Sequence, residues 1–173
     1  MEHTAQPTIK DTAADRTSSA ASPANCPFAP KGQAKNAALC GDSPLSVHHI
    51  GYLVRNIDAA LSAFLQLGYT IRQDTVPDPI RGIHICFVEK DGYLIELVSP
   101  IDSSSLVSGL LKKYKNSPYH ICYETNDLDK ELARLTAQSY TAIDAPTPAP
   151  VLGNRRVVFL MSPFLGMIEL LEA

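Results

Sequence analysis

One pattern in this chain is written twice, and that repeat limits the fold more than any other feature. Setting VHHIGYLVRNIDAALSAFLQLGYT (47–70) over PYHICYETNDLDKELARLTAQSYT (118–141) brings His49 onto His120, Asp58 onto Asp129, Leu61 onto Leu132 and Phe64 onto Leu135. The offset is 71 residues throughout. Further on, HICFVEKDGYLIELVSP (84–100) is echoed by RVVFLMSPFLGMIELLE (156–172), with Glu96 over Glu169 at an offset of 73. A slip of two residues fits one loop change between the copies. A chain built this way is expected to form two like modules that complete one another.

Each copy reads as a strand, a helix and then two or three strands. Ser46 to Val54 is short and partly β-branched or aromatic, as strands are. Asn56 or Asp58 can cap a helix whose apolar face is Ile57, Leu61, Phe64 and Leu65, with Gly68 ending it. Leu128, Leu132 and Leu135 mark the same face in the second copy. Tyr69 to Gln73 and Tyr140 to Ile143 follow as strands, then hairpins that close on Glu96 and Glu169. Leu106, Leu110, Leu111 and Tyr114 suggest a short connecting helix. The expected division is module one over 45–102, a linker helix over 103–116 and module two over 117–173.

Residues 1–44 have only Ile9, Phe28 and Leu39 as large apolar side chains beyond Met1, too few to offset the entropy of ordering. A disordered tail is expected there. The remainder suffices for one core, since the whole 173-residue chain is 45% hydrophobic. A net charge of -3 speaks against nucleic-acid or anionic-membrane partners, which need a basic surface. No apolar run approaches the ~20 residues of a spanning helix. The N-terminus lacks the apolar core of a secretory signal, and Glu2, Asp11 and Asp15 argue against a transit peptide, so a cytoplasmic location is expected. Cys26, Cys40, Cys86 and Cys122 show no CxxC spacing, and Cys86 and Cys122 read as small buried residues.

Side chains alternate faces along a strand, so His49 is expected beside Val47, Gly51 and Leu53, with His48 on the other face beside Ile50, Tyr52 and Val54. The repeat selects His49 as the partner of His120. Glu96 and Glu169 are single carboxylates inside apolar strand runs, YLIELV and MIELL. An unpartnered carboxylate in such a place costs several kcal/mol unless a cation or hydrogen-bond donors meet it. Neither run carries a Lys or Arg at the matching position. Two modules facing one another would turn one His and one Glu from each into a four-ligand set, suited to Zn, Ni, Co, Mn or Fe rather than Mg.

The segments His-Ile-Gly, Ile-Glu-Leu-Val-Ser-Pro, His-Ile-Cys-Tyr-Glu and Gly-Met-Ile-Glu-Leu-Leu-Glu resemble those of the vicinal oxygen chelate superfamily, over about residues 46–172. That superfamily includes glyoxalase I, methylmalonyl-CoA epimerase, extradiol dioxygenases and bleomycin-resistance proteins. The resemblance implies an α+β fold in which two tandem βαβββ modules form a curved mixed sheet around a metal cleft. It implies one divalent metal ion (Ni, Co, Mn or Zn) on His49, Glu96, His120 and Glu169, with Glu169 also the catalytic base. The linker through Leu110-Leu111-Lys112-Lys113 and the loop Gly153-Asn154-Arg155-Arg156 are most similar to the methylmalonyl-CoA epimerase branch, where Gln often stands at the position of Glu96.

That likeness implies an isomerase or epimerase acting through an enolate of a carbonyl or thioester substrate. One departure bears on the reaction: such epimerases place a glutamate base where this chain has Ile80, which cannot move a proton. Asp78 and Glu89 are the nearby carboxylates, and Met161 replaces a common histidine. A glyoxalase I-type lyase acting on a hemithioacetal and a non-catalytic binding or resistance protein are the alternatives. The full ligand set speaks against the latter, and Glu96 speaks against a ring-cleaving dioxygenase. The expected partner is a small molecule, an acyl-CoA among the candidates, whose anionic tail Arg81, Lys112, Lys113, Arg155 or Arg156 could meet. A homodimer is left open.

Overall fold

The computed structural model describes residues 45–173, so the expected disordered tail over 1–44, with Cys26 and Cys40, lies outside the described residues. The first copy consists of β1 (Ser46–Leu53), α1 (Ile57–Gln66), β2 (Thr70–Asp78), β3 (Ile83–Lys90) and β4 (Tyr93–Pro100). Helix α2 (Leu106–Tyr114) connects it to β5 (Ser117–Thr125), α3 (Leu128–Ala137), β6 (Thr141–Ala142), β7 (Thr147–Ala149), β8 (Arg155–Ser162) and β9 (Gly166–Glu172). The nine strands of the described residues form one sheet in the order β2-β3-β4-β1-β5-β9-β8-β6, with β7 also on β8. β1 runs parallel to β4, β5 runs parallel to β9, and the two modules join through the antiparallel pair β1–β5. This is the expected α+β architecture of two related modules in a mixed sheet: the first is βαβββ, and in the second the strand equivalent to β2 is broken into β6 and β7, both paired with β8.

Side-chain caps start α1 and α3. The Asn56 side chain accepts from the Ala59 N–H at 2.8 Å, and Asp127 does the same for Lys130 at 3.0 Å, each satisfying an amide that the first turn leaves open. Ile57, Leu61 and Phe64 pack on Val54, Cys86, Val88, Ile95 and Leu97. Leu128, Leu132 and Leu135 pack on Val158, Leu160, Ile168 and Leu170. Leu65 departs from the expected stripe and is 42% exposed. Short α1 presents its packing face through i, i+4 and i+7, and Leu65 lies past that face.

Because α1 and α3 take alternate residues of the strands, the remaining alternate positions share the other face. Ile83, Ile85, Phe87 and Val98 cluster there in the first module, and Cys122, Val157 and Leu171 in the second. Among the described residues no helix is long and apolar enough to cross a membrane.

The two-residue slip in the repeat is not one loop change. Lys90 pairs with Tyr93 across the first hairpin, whereas Ser162 pairs with Gly166 across the second, so the second turn holds one more residue. The other extra residue lies upstream, between the helix and the hairpin, because Phe87 and Phe159 face Glu96 and Glu169 in equivalent pairs at an offset of 72.

Candidate metal centre

The register of the sheet assembles two equivalent rows. In one, Phe87 pairs with Glu96, Glu96 with Gly51 and Gly51 with His120. In the other, Phe159 pairs with Glu169, Glu169 with Cys122 and Cys122 with His49. Each module therefore supplies a Glu and a Phe to a row that ends on the other module's His. The missing side chain of Gly51 leaves room for the His120 ring, whereas in the other row the Cys122 thiol lies against the Glu169 carboxylate. Added to Gly51, a Cβ would stand 2.0 Å from His120 Cε1.

The four expected residues come together and are buried. His49 Nε2 lies 3.5 Å from Glu96 Oε2 and 3.3 Å from Glu169 Oε2. His120 Nε2 lies 3.8 and 3.2 Å from the same two atoms, and 3.3 Å from His49 Nε2. Ligand atoms held about 2.0–2.2 Å from one centre stand about 3.0 Å apart at right angles and about 3.4 Å apart at tetrahedral angles. Four of these spacings, 3.2–3.5 Å, lie close to such a shell, the 3.8 Å between His120 and Glu96 is wider, and donor atoms of His49, Glu96 and His120 all lie within 4.8 Å of one another. His120 Nδ1 is buried without a hydrogen-bond partner, and the buried Glu169 Oε2 has no well-directed hydrogen bond, only the imidazole nitrogens at 3.2 and 3.3 Å, a placement that calls for positive charge beside it. The chemistry of the donor set, two imidazoles and two carboxylates buried together, fits a divalent cation.

Electrostatics agree. Burial works against a charge on His49, but the carboxylates of Glu96 and Glu169 outweigh it and raise its pKa to about 9. Burial alone would push Glu169 upward, yet the imidazoles of His120 and His49 hold it ionised, below the usual carboxylate range. His49 stands edge-on to Phe87 at 5.4 Å and His120 edge-on to Phe159 at 5.3 Å, so apolar edges shield the cluster from water.

His48 corrects the expected alternation. Between the pairs Val47–Tyr123 and His49–Cys122 it is an extra residue, a β-bulge, and a bulge breaks the two-residue period. Its Nδ1 lies 2.8 Å from His49 Nδ1 rather than across the sheet. Burial first, then the cationic neighbours His49 and Arg155, hold its pKa below the ordinary value. The second copy repeats the device: Tyr119 is the extra residue between the pairs Tyr52–Pro118 and Gly51–His120, with its ring 4.4 Å from that of His120. Burial, then Glu96 and Glu169, push the Tyr119 phenol well above its ordinary pKa, so it stays a hydrogen-bond donor.

Tyr119, Arg81, Ile83 and Phe159 wall both a cavity of about 20 Å³ against Glu96 and Glu169 and an adjoining one of about 310 Å³. Leu106, Val107 and Leu110 of α2 complete the apolar side of the larger one. Of the five expected cations, Arg81 alone lines these cavities. Its Nη1 donates to Asp78 at 2.8 Å and its Nη2 to Thr147 at 3.0 Å. Arg155 instead pairs with Glu124, and Arg156 with Glu172 and Asp129. Lys112 and Lys113 are exposed on the last turn of α2. Asp78 is buried and already accepts from Ile80 N, Arg81 N and the guanidinium, while Glu89 pairs with Arg72. Ile80 is 61% exposed and walls neither cavity.

Known proteins share this frame. The family model for the Glyoxalase/Bleomycin resistance protein/Dioxygenase superfamily matches residues 48–159. The mitochondrial methylmalonyl-CoA epimerase of Mus musculus is 24% identical over 130 residues, covering 73% of this chain and 72% of its own. That of Dictyostelium discoideum is 26% identical over 115 residues, covering 66% and 69%. The crystal structure of methylmalonyl-CoA epimerase from Mycobacterium tuberculosis superimposes with a TM-score of 0.67 at 24% identity, over 76% of this chain and 91% of that one.

Proposed function

The chain belongs to the Glyoxalase/Bleomycin resistance protein/Dioxygenase superfamily, and from that footing we propose that it is a divalent-metal-dependent isomerase of the methylmalonyl-CoA epimerase type. The reaction would move a proton on the carbon beside a carbonyl or thioester, in an acyl-CoA substrate. The observation that supports this reading most is the convergence of two imidazole Nε2 atoms on the buried Glu169 Oε2, with a second buried carboxylate beside them.

His49, Glu96, His120 and Glu169 would hold the ion, with Ni, Co, Mn or Zn suited to the mixed imidazole and carboxylate set. When bound, such an ion supplies Lewis-acid stabilisation of negative charge developing on a substrate oxygen. Glu169, ionised and lining the small cavity, is the group to take the proton. The Tyr119 phenol and the Arg81 guanidinium, on the shared wall, are placed to donate to substrate oxygens. The apolar cavity beyond would take the substrate's carbon skeleton and exclude water from the developing charge.

The exposed Ile80 favours a second reading. With no carboxylate at that position, a glyoxalase-type lyase that moves a proton on one face only remains competitive. Solvent deuterium exchange into a panel of acyl-CoA thioesters, run beside a glutathione hemithioacetal assay, separates the two. Exchange with the thioesters alone supports the epimerase type; turnover of the hemithioacetal alone supports the lyase. Glu169→Gln is expected to abolish either activity, and full activity in that variant would refute the assignment of Glu169.

A further inference from the structure

The two imidazoles that face each other across the cluster are supported differently. His120 Nδ1 has no partner, and the bulge residue before it is Tyr119, whose ring meets it edge-on. His49 Nδ1 faces His48 Nδ1 at 2.8 Å, and the bulge that places His48 there has no counterpart in the plain alternation of the strand.

At that separation a single hydrogen lies between the two nitrogens, because two N–H groups would collide. Which ring owns it decides what His49 can do with its other nitrogen. His49 Nε2 points at Glu96, Glu169 and His120, so it must carry a lone pair if the cluster is to hold a cation. The hydrogen then belongs to His49 Nδ1, and His48 Nδ1 accepts it. In the opposite arrangement, His48 keeps the hydrogen, its Nε2 accepts from Arg155 Nη2 at 3.4 Å, and His49 Nε2 carries a proton toward the carboxylates. The contact to Arg155 is the long one, and that guanidinium already has a short bond to Glu124 and a bond to Leu152 O at 3.0 Å.

We propose that His48 is a positioning residue: it accepts the Nδ1–H of His49, fixing both the tautomer and the tilt of that ring so that Nε2 is presented to the cation. The inference rests on the metal reading of the cluster. A supporting acceptor of this kind changes metal affinity by about 10–100-fold when removed, which sets the effect to look for.

Two measurements on the full chain test it. Long-range proton–nitrogen NMR of the labelled protein, empty and with Zn²⁺, reads the tautomers directly. A protected Nδ1–H on His49 with an unprotonated His48 Nδ1 supports the inference; the proton on His48 Nδ1 overturns it. Calorimetric titration with Zn²⁺ then compares His48→Leu, which cannot accept, with His48→Asn, whose amide oxygen can. His48→Leu is expected to bind about 10–100-fold more weakly than the parent, and His48→Asn within about threefold of it, a difference under 1 kcal/mol. Equal affinity in the parent and His48→Leu, or equal loss in both variants, would overturn the positioning role and leave the metal reading standing. If the parent takes up no cation, the metal reading falls instead, and the tautomer seen in the empty protein decides whether His48 accepts from His49.

Discussion

Replacing Gly51 by Ala adds one methyl group where the sheet leaves no space for it. Its carbon would stand 2.0 Å from His120 Cε1, 2.3 Å from Nδ1 and 2.7 Å from Nε2. Carbon atoms in contact rest about 3.5–4.0 Å apart, so the ring would have to retreat by about 1.5 Å. Tyr119 at 4.4 Å and Phe159 at 5.3 Å, centre to centre, stand around it. Gly51 does not have a positive φ, so the backbone accepts alanine and the conflict is steric alone. Overpacking of this kind costs about 1–3 kcal/mol. A retreat of about 1.5 Å also exceeds the about 0.2 Å of slack that ligand bond lengths allow, so His120 would leave the ligand set and Zn²⁺ affinity would fall with it.

Urea unfolding of Gly51→Ala, His120→Ala and the double variant isolates the clash. Without the ring the added methyl has nothing to meet, so Gly51→Ala should cost about 1–3 kcal/mol in the parent and near zero beside His120→Ala. An equal cost in both backgrounds, or parental Zn²⁺ affinity in Gly51→Ala, would show that the ring has room and refute the reasoning.

Two further outcomes are expected. The raised pKa of His49 means that, without metal, its pairing with Glu96 and Glu169 stabilises the fold fully below its unfolded value of about 6.5 and is lost as pH rises through about 9. Urea midpoints measured with a chelator should therefore fall between pH 6.5 and 9.5; a flat or rising profile there would contradict the proton on His49. At the start of α1, Asn56→Ala removes the cap to Ala59 and should cost about 1 kcal/mol, whereas Asn56→Asp, which keeps the acceptor, should cost little; thermal unfolding of the pair checks it.

Much of the site was legible in sequence because the evidence for it is local and doubled. Strand and helix periods follow from side-chain direction along a single element, and the repeat made His49, Glu96, His120 and Glu169 point to one another without a structure. His48 and Tyr119 were not legible in their roles, since a bulge is a relation between two paired strands and exists only once β1 and β5 are in register. Nor was the need for Gly51, whose missing Cβ matters because of a ring on the neighbouring strand. The choice of Arg81 among five cations likewise depended on which surface the β2–β3 turn covers. Composition and periodicity determined the elements and the equivalent residues; tertiary packing decided which atoms face the shared centre, because that depends on registers and clearances between strands distant along the chain.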